Sequence, residues 1–150
     1  MIDIENKIIS DITNALEAQF IQDHPGLVVY DTAVEISESF PCVTVVASEN
    51  TTWKRSLQFG KHSENHAFIT FEINVYTNNA VGKKELGKAI FQVIDGVMQS
   101  NNFVRIMASP TPNIDRTVAR ITGRYTALVG EPILQNIDGV DTYVYPVLRN

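Results

Sequence analysis

From His66 to Tyr76 the chain alternates without a break: Ala67, Ile69, Phe71, Ile73 and Val75 fall on one side, and Thr70, Glu72 and Asn74 on the other. Period-two alternation over such a length is what a long strand with one covered face and one polar face requires. A helix would scatter the same side chains around its axis. A strand of this kind cannot stand alone, because it needs paired neighbours and an apolar layer over its covered face.

The neighbours are legible. Thr117 to Val129 is a second long strand, with Ala119, Ile121, Tyr125, Ala127 and Val129 facing one way and Arg116, Arg120, Thr122, Arg124 and Thr126 the other. Phe40-Pro41 opens a strand over Cys42 to Ser48, and Phe103 to Met107 and Leu27 to Val34 read as shorter ones. In the tail, Pro132 to Gln135 and Thr142 to Val147 flank Asp138-Gly139, a dipeptide that favours two-residue hairpin turns. Pro110 and Pro112 bracket a further turn.

Two segments have helical spacing and supply the cover. Ile8, Ile9, Ile12, Ala15 and Leu16 place a helix over about Ile4 to Gln19, with Asp3 positioned to cap it and His24-Pro25-Gly26 beyond its end. Leu86, Ile90, Phe91, Val93, Ile94, Val97 and Met98 place a second over about Val81 to Gln99. Gly87 lies on its apolar stripe, where a missing side chain permits close packing on a sheet. Two helices and five to seven strands joined mostly by short turns predict an α+β fold: a mainly antiparallel β-sheet with both α-helices packed on one face. With 150 residues and neither a repeat nor a linker, residues 1–150 are expected to form a single domain.

Composition excludes several functions. A formal net charge of −5 argues against generic nucleic-acid binding, which needs a basic face to displace counterions. It suits equally a soluble surface or one that lets DNA pass without sticking. The segment around Met1 lacks a signal-peptide pattern, and no apolar run approaches the ~20 residues of a membrane helix. Cys42, the sole cysteine, sits among Val43, Val45 and Val46 and reads as a small buried hydrophobe.

Catalytic and metal chemistry find little support. His62 and His66 flank Glu64, but His66 opens a strand, and an extended segment would separate the two rings by roughly 13 Å, too far to share an ion. Gly82-Lys83 lacks the upstream glycine of a phosphate loop, which falls at Thr77. No nucleophile elbow, Cys-x-x-Cys or dinucleotide fingerprint occurs. No catalytic residue, metal ligand or cofactor is therefore assigned.

Two features point to protein contacts. Between Ser48 and His66 lie 17 residues without periodicity, long for a compact domain. They carry Trp53, Leu57 and Phe59 beside Lys54 and Arg55, a mix of aromatic, apolar and cationic groups suited to a partner. Trp53 could equally fold back on its own domain. The second feature is the row Arg116, Arg120 and Arg124, which would form a charged strip for acidic groups of a neighbouring subunit. Alternatively, these arginines pair across the sheet with carboxylates such as Glu72.

The order of parts, with "FPCVTV", "HAFITFEINVYTNN", "KKELGKAIFQVIDGVM" and "NNFVRIMASPTPNIDRTVARITGRYTALV", resembles the small tail terminator (tail completion) proteins of tailed bacteriophages and prophages. The likeness spans nearly the full chain and rests on structural phrases. It implies a structural virion protein without enzymatic activity, made in the bacterial cytoplasm and located in the phage tail. Its copies would form a ring, typically a hexamer, that caps the tail tube, stops elongation and joins the head connector. Its partners would be itself, the major tail tube protein and the head–tail connector, with DNA passing through unbound and no membrane involved. Another neck or minor capsid morphogenesis protein, and an unrelated small-ligand-binding α+β domain, remain as alternatives.

Overall fold

The computed structural model describes residues 1–32, 39–53, 66–78, 82–113 and 115–148. Its first element, α1 (Glu5–Phe20), buries Ile8, Ile12 and Leu16, one side chain per turn along one stripe. Ile4, not Asp3, occupies the N-cap position and no side chain caps the helix there; Asp3 bonds from one residue earlier. Its carboxylate accepts the Glu5 N–H at 2.9 Å. Ile2 and Ile4 are themselves buried, so the core begins before the helix does.

The main sheet has six strands: β1 (Val28–Tyr30), β2 (Cys42–Thr52), β3 (His66–Thr77), β4 (Val104–Pro110), β5 (Ala119–Gly130) and β8 (Val147–Leu148). The order is β1-β2-β3-β5-β4, with β8 pairing the far end of β5. Among the described residues only β1 runs parallel to its neighbour; the other pairs are antiparallel. A separate hairpin, β6 (Ile133–Ile137) with β7 (Val140–Val144), brings the total among the described residues to eight strands, above the five to seven expected. The α+β class and the helices on one face are as predicted.

β3 and β5 form the spine, paired in register along all twelve residues of each, from His66 opposite Gly130 to Thr77 opposite Ala119. Their inward residues, among them Ile69, Phe71, Ile73, Tyr125 and Ala127, are buried under the helices. α2 (Lys83–Ser100) lays Ile90, Phe91, Ile94 and Met98 on them. Two glycines set how close it comes. A Cβ at Gly123 would stand 2.6 Å from the Phe91 ring, and one at Gly87 would stand 3.3 Å from Ile121 Cδ1. α2 ends in a Schellman motif. Asn102 takes the left-handed conformation, and the Phe103 N–H reaches Met98 O at 2.9 Å. Phe103 is thereby turned into the core, edge-on to Phe71 at 5.5 Å.

Two bulges alter what periodicity suggests. In β2 the register shifts between Ala47 and Glu49, so Glu49 to Thr52 continue the strand opposite Thr70 to Ala67. These four residues, expected to open a long loop, are paired sheet. In β4 the shift between Arg105 and Met107 leaves Ile106 as the extra residue, exposed on the outer edge of the sheet.

Candidate functional site

Of the loop residues singled out, Lys54, Arg55, Leu57 and Phe59 lie outside the described residues. Trp53 is described and sits directly after β2. Its N–H donates to His66 O at 2.9 Å, and its half-buried ring meets His66 edge-on at 5.9 Å. Trp53 thus extends the β2–β3 pairing by one residue.

The arginines do not form a single row on one strand. Arg124 is on β5, opposite Glu72 of β3, and its guanidinium lies 3.0 Å from that carboxylate. Arg120 is half-buried, donates to Asn74 Oδ1 at 2.9 Å and stacks over the Tyr76 ring at 5.5 Å. Asn74 Oδ1 also accepts from Thr122, and Thr111 and Thr122 share a hydroxyl contact at 2.7 Å. The sheet face away from the helices is therefore crossed by a linked polar network. Arg116, by contrast, precedes β5 and is exposed in a turn. The reason is Asp115, whose carboxylate accepts from the Thr117 N–H at 2.9 Å and the Thr117 hydroxyl at 2.6 Å. Such local bonding offers the backbone an alternative to strand pairing and delays β5 to Ala119.

Displaced from the strip, Arg116 joins a different group. A groove of ≈ 540 Å³ is lined by Lys83, Lys84 and Lys88 from the first turns of α2 and by Arg116 from the turn before β5; Arg120 borders it too, but its guanidinium is engaged on the other sheet face by Asn74 and Tyr76. Pro110, Pro112, Val118 and Ile121 give it apolar walls. Among the described residues its lining includes no Asp or Glu, although Lys83, Lys84, Lys88 and Arg116 are four of only 12 Lys and Arg in the chain. Lys83 Nζ donates to Thr117 O at 3.1 Å, joining the helix start to the turn.

The β6–β7 hairpin was expected as secondary structure but not as a surface. Asp138 and Gly139 both have positive φ, the geometry of a two-residue hairpin turn, and Asn136 Oδ1 accepts the Gly139 N–H at 3.1 Å. Cross-strand pairing puts Ile133, Ile137, Val140 and Val144 on one face and Leu134 with Tyr143 on the other. Val140 and Tyr143 are each 64% exposed, and Ile133, Leu134 and Ile137 are also open. Apolar residues on both faces signal a strand covered on both sides, and that signal was available in the sequence.

Titrating groups perturbed by the fold do not converge. Burial raises Tyr125 far above the usual tyrosine range, helped by its 2.9 Å bond to Asp95. Burial also raises Tyr76 and Glu5, and the Thr117 hydrogen bonds lower Asp115. Among the described residues no group of three or more His, Cys, Asp or Glu is placed to hold a metal ion. No helix among them is long and apolar enough to cross a membrane.

No protein-family model matches the chain, and no curated protein matches it. Among solved structures it is similar to the gp17 protein of bacteriophage SPP1, at 13% identity and a TM-score of 0.40, over 81% of this chain and 89% of that one. That likeness is too loose to bear on function.

Proposed function

We propose that this chain is a non-catalytic structural protein of a tailed-phage or prophage virion. Its copies form a ring, a hexamer by analogy with the family its sequence resembles, on the end of the tail tube. There the ring stops elongation and offers the surface to which the head connector joins, while DNA passes through its hole. The protein is made in the host cytoplasm and ends in the tail.

The observation that carries this reading is the β6–β7 hairpin, whose large apolar side chains stand in solvent on both faces. A domain that works alone rarely exposes such a patch, whereas an assembly subunit does so because a partner covers it. Tail tube protein should be polymerised with and without this chain and the tubes examined by electron microscopy. Capped tubes that cease to lengthen are expected. Tubes that keep elongating uncapped in its presence overturn the reading.

A further inference from the structure

The hairpin and the cationic groove match each other, yet they cannot meet within one molecule. The hairpin is rooted at the C-terminal end of β5, where the Gly130 N–H donates to Pro146 O at 2.7 Å. The groove lies at the other end of the same strand, at Ala119, Arg120 and Ile121. Twelve strand residues separate the two sites by about 35–40 Å, whereas five-residue strands reach only about 17 Å. Among the described residues the hairpin makes no substantial contact with either helix or with the six-stranded sheet.

Their chemistry is complementary. The segment 131–144 carries Glu131, Asp138 and Asp141 and no Lys or Arg. At its tip Ile137 and Val140 flank the turn that holds Asp138. The groove offers cations along an apolar wall. Its ≈ 540 Å³ suits a few side chains, so it takes the tip and leaves the rest of the hairpin to the surrounding surface. A two-stranded hairpin is only marginally stable in water, which gives this one reason to seek cover.

We propose that the β6–β7 hairpin tip of one copy docks in the Lys83–Lys84–Lys88–Arg116 groove of a second copy. Because the two surfaces lie at opposite ends of one chain, the contact is head to tail. Such contacts repeat from copy to copy and either close into a ring or run on as a filament. The inference deepens the ring reading by naming the contact that would build it.

The test uses the full chain carrying Val140→Cys in the hairpin and Asn113→Cys in the groove, treated at high protein concentration with a short bis-maleimide. Cys42 is buried and out of reach. Within one chain the two new cysteines are too far apart to be bridged. A ladder of covalent multimers is expected, with at most dimers from either single variant. Adding Asp138→Lys and Asp141→Lys should abolish the ladder, and further adding Lys84→Glu and Lys88→Glu should restore it. Circular dichroism melts confirm that each variant is folded, since all these positions except the half-buried Asn113 are exposed. Monomers and dimers alone, or a ladder indifferent to charge reversal, overturn the contact. If the ladder fails while tubes are still capped, the contact is wrong and the ring reading stands. If the ladder forms but climbs without limit and tubes stay uncapped, the contact stands and the ring reading falls.

Discussion

Arg124 and Glu72 face each other in register across β5 and β3, and two guanidinium nitrogens, at 3.0 and 3.1 Å, approach the same carboxylate oxygen. The arginine side chain is 50% exposed, so solvent screens the pair, and such pairs contribute only ~0–1 kcal/mol. Arg124→Ser should therefore shift the thermal midpoint by no more than about 4 °C. Arg120→Ser should cost more, because it removes a half-buried guanidinium from Asn74 and from the Tyr76 ring. Thermal melts of the two single variants check the ranking. If the arginines also contribute to assembly, both variants should weaken self-association and reduce its sensitivity to salt.

Gly123 should tolerate no side chain. Its missing Cβ is replaced by the edge of Phe91, whose ring is itself held near Tyr125 at 6.3 Å. Gly123→Ala should destabilise the fold by about 1–3 kcal/mol, the usual cost of overpacking a filled core. Adding Phe91→Leu should recover part of that loss, so the two changes should be non-additive in denaturant melts. Simple additivity would mean that α2 shifts away from the sheet without strain.

Alkaline pH should expose the state of Tyr125. In the unfolded chain a tyrosine ionises near 10, whereas burial and the Asp95 carboxylate hold this hydroxyl protonated well beyond that. A group whose pKa is raised by folding contributes stability below its unfolded pKa, and that contribution is lost as pH rises through the alkaline range. Stability should fall above about pH 10. Tyr125→Phe should flatten this limb, at a cost of about 1 kcal/mol at neutral pH for the lost hydrogen bond. Tyr76, raised chiefly by burial, adds a smaller part of the same slope. Equilibrium unfolding of the parent and Tyr125→Phe from pH 7 to 11 measures it.

How much of this was legible in the sequence depends on whether local pattern or distant contact decides the outcome. β3 and β5 alternate because one face packs under the helices while the other carries polar groups, several of them buried in side-chain hydrogen bonds, and the sequence records that directly. Periodicity ends β2 at Ser48 because a bulge reverses the phase, turning a continuous strand into an apparent loss of period. Arg116 was placed on β5 because its spacing fits, and the Asp115 turn that removes it is a three-residue effect that spacing ignores. The groove was invisible for another reason. Lys83 and Thr117 stand 34 residues apart, and only the packing of α2 beside β5 brings the three lysines to Arg116. The hairpin was seen as a turn with two flanks; that its apolar side chains would remain uncovered is a fact of tertiary structure.

Trp53 gives the last test, because as the only tryptophan it reports one place in the molecule. A free docking arm would show a fully hydrated indole, and a core residue a fully protected one. The structure places it between these limits, half-buried and held edge-on to His66 at the end of β2. In the isolated protein its emission should lie between the hydrated and buried extremes, with partial access to a soluble quencher. Trp53→Ala should leave the sheet folded and cost about 0.5–1.5 kcal/mol for the lost aromatic pair, plus the apolar area it covers. If Trp53 is also an anchor of the assembly, emission should move to the blue when tube protein is added. The alanine variant should then lose affinity by ≥ ~2 kcal/mol, as truncation of a central interface aromatic commonly does. Emission unchanged by tube protein, with capping by Trp53→Ala intact, would confine Trp53 to closing the β2–β3 pair.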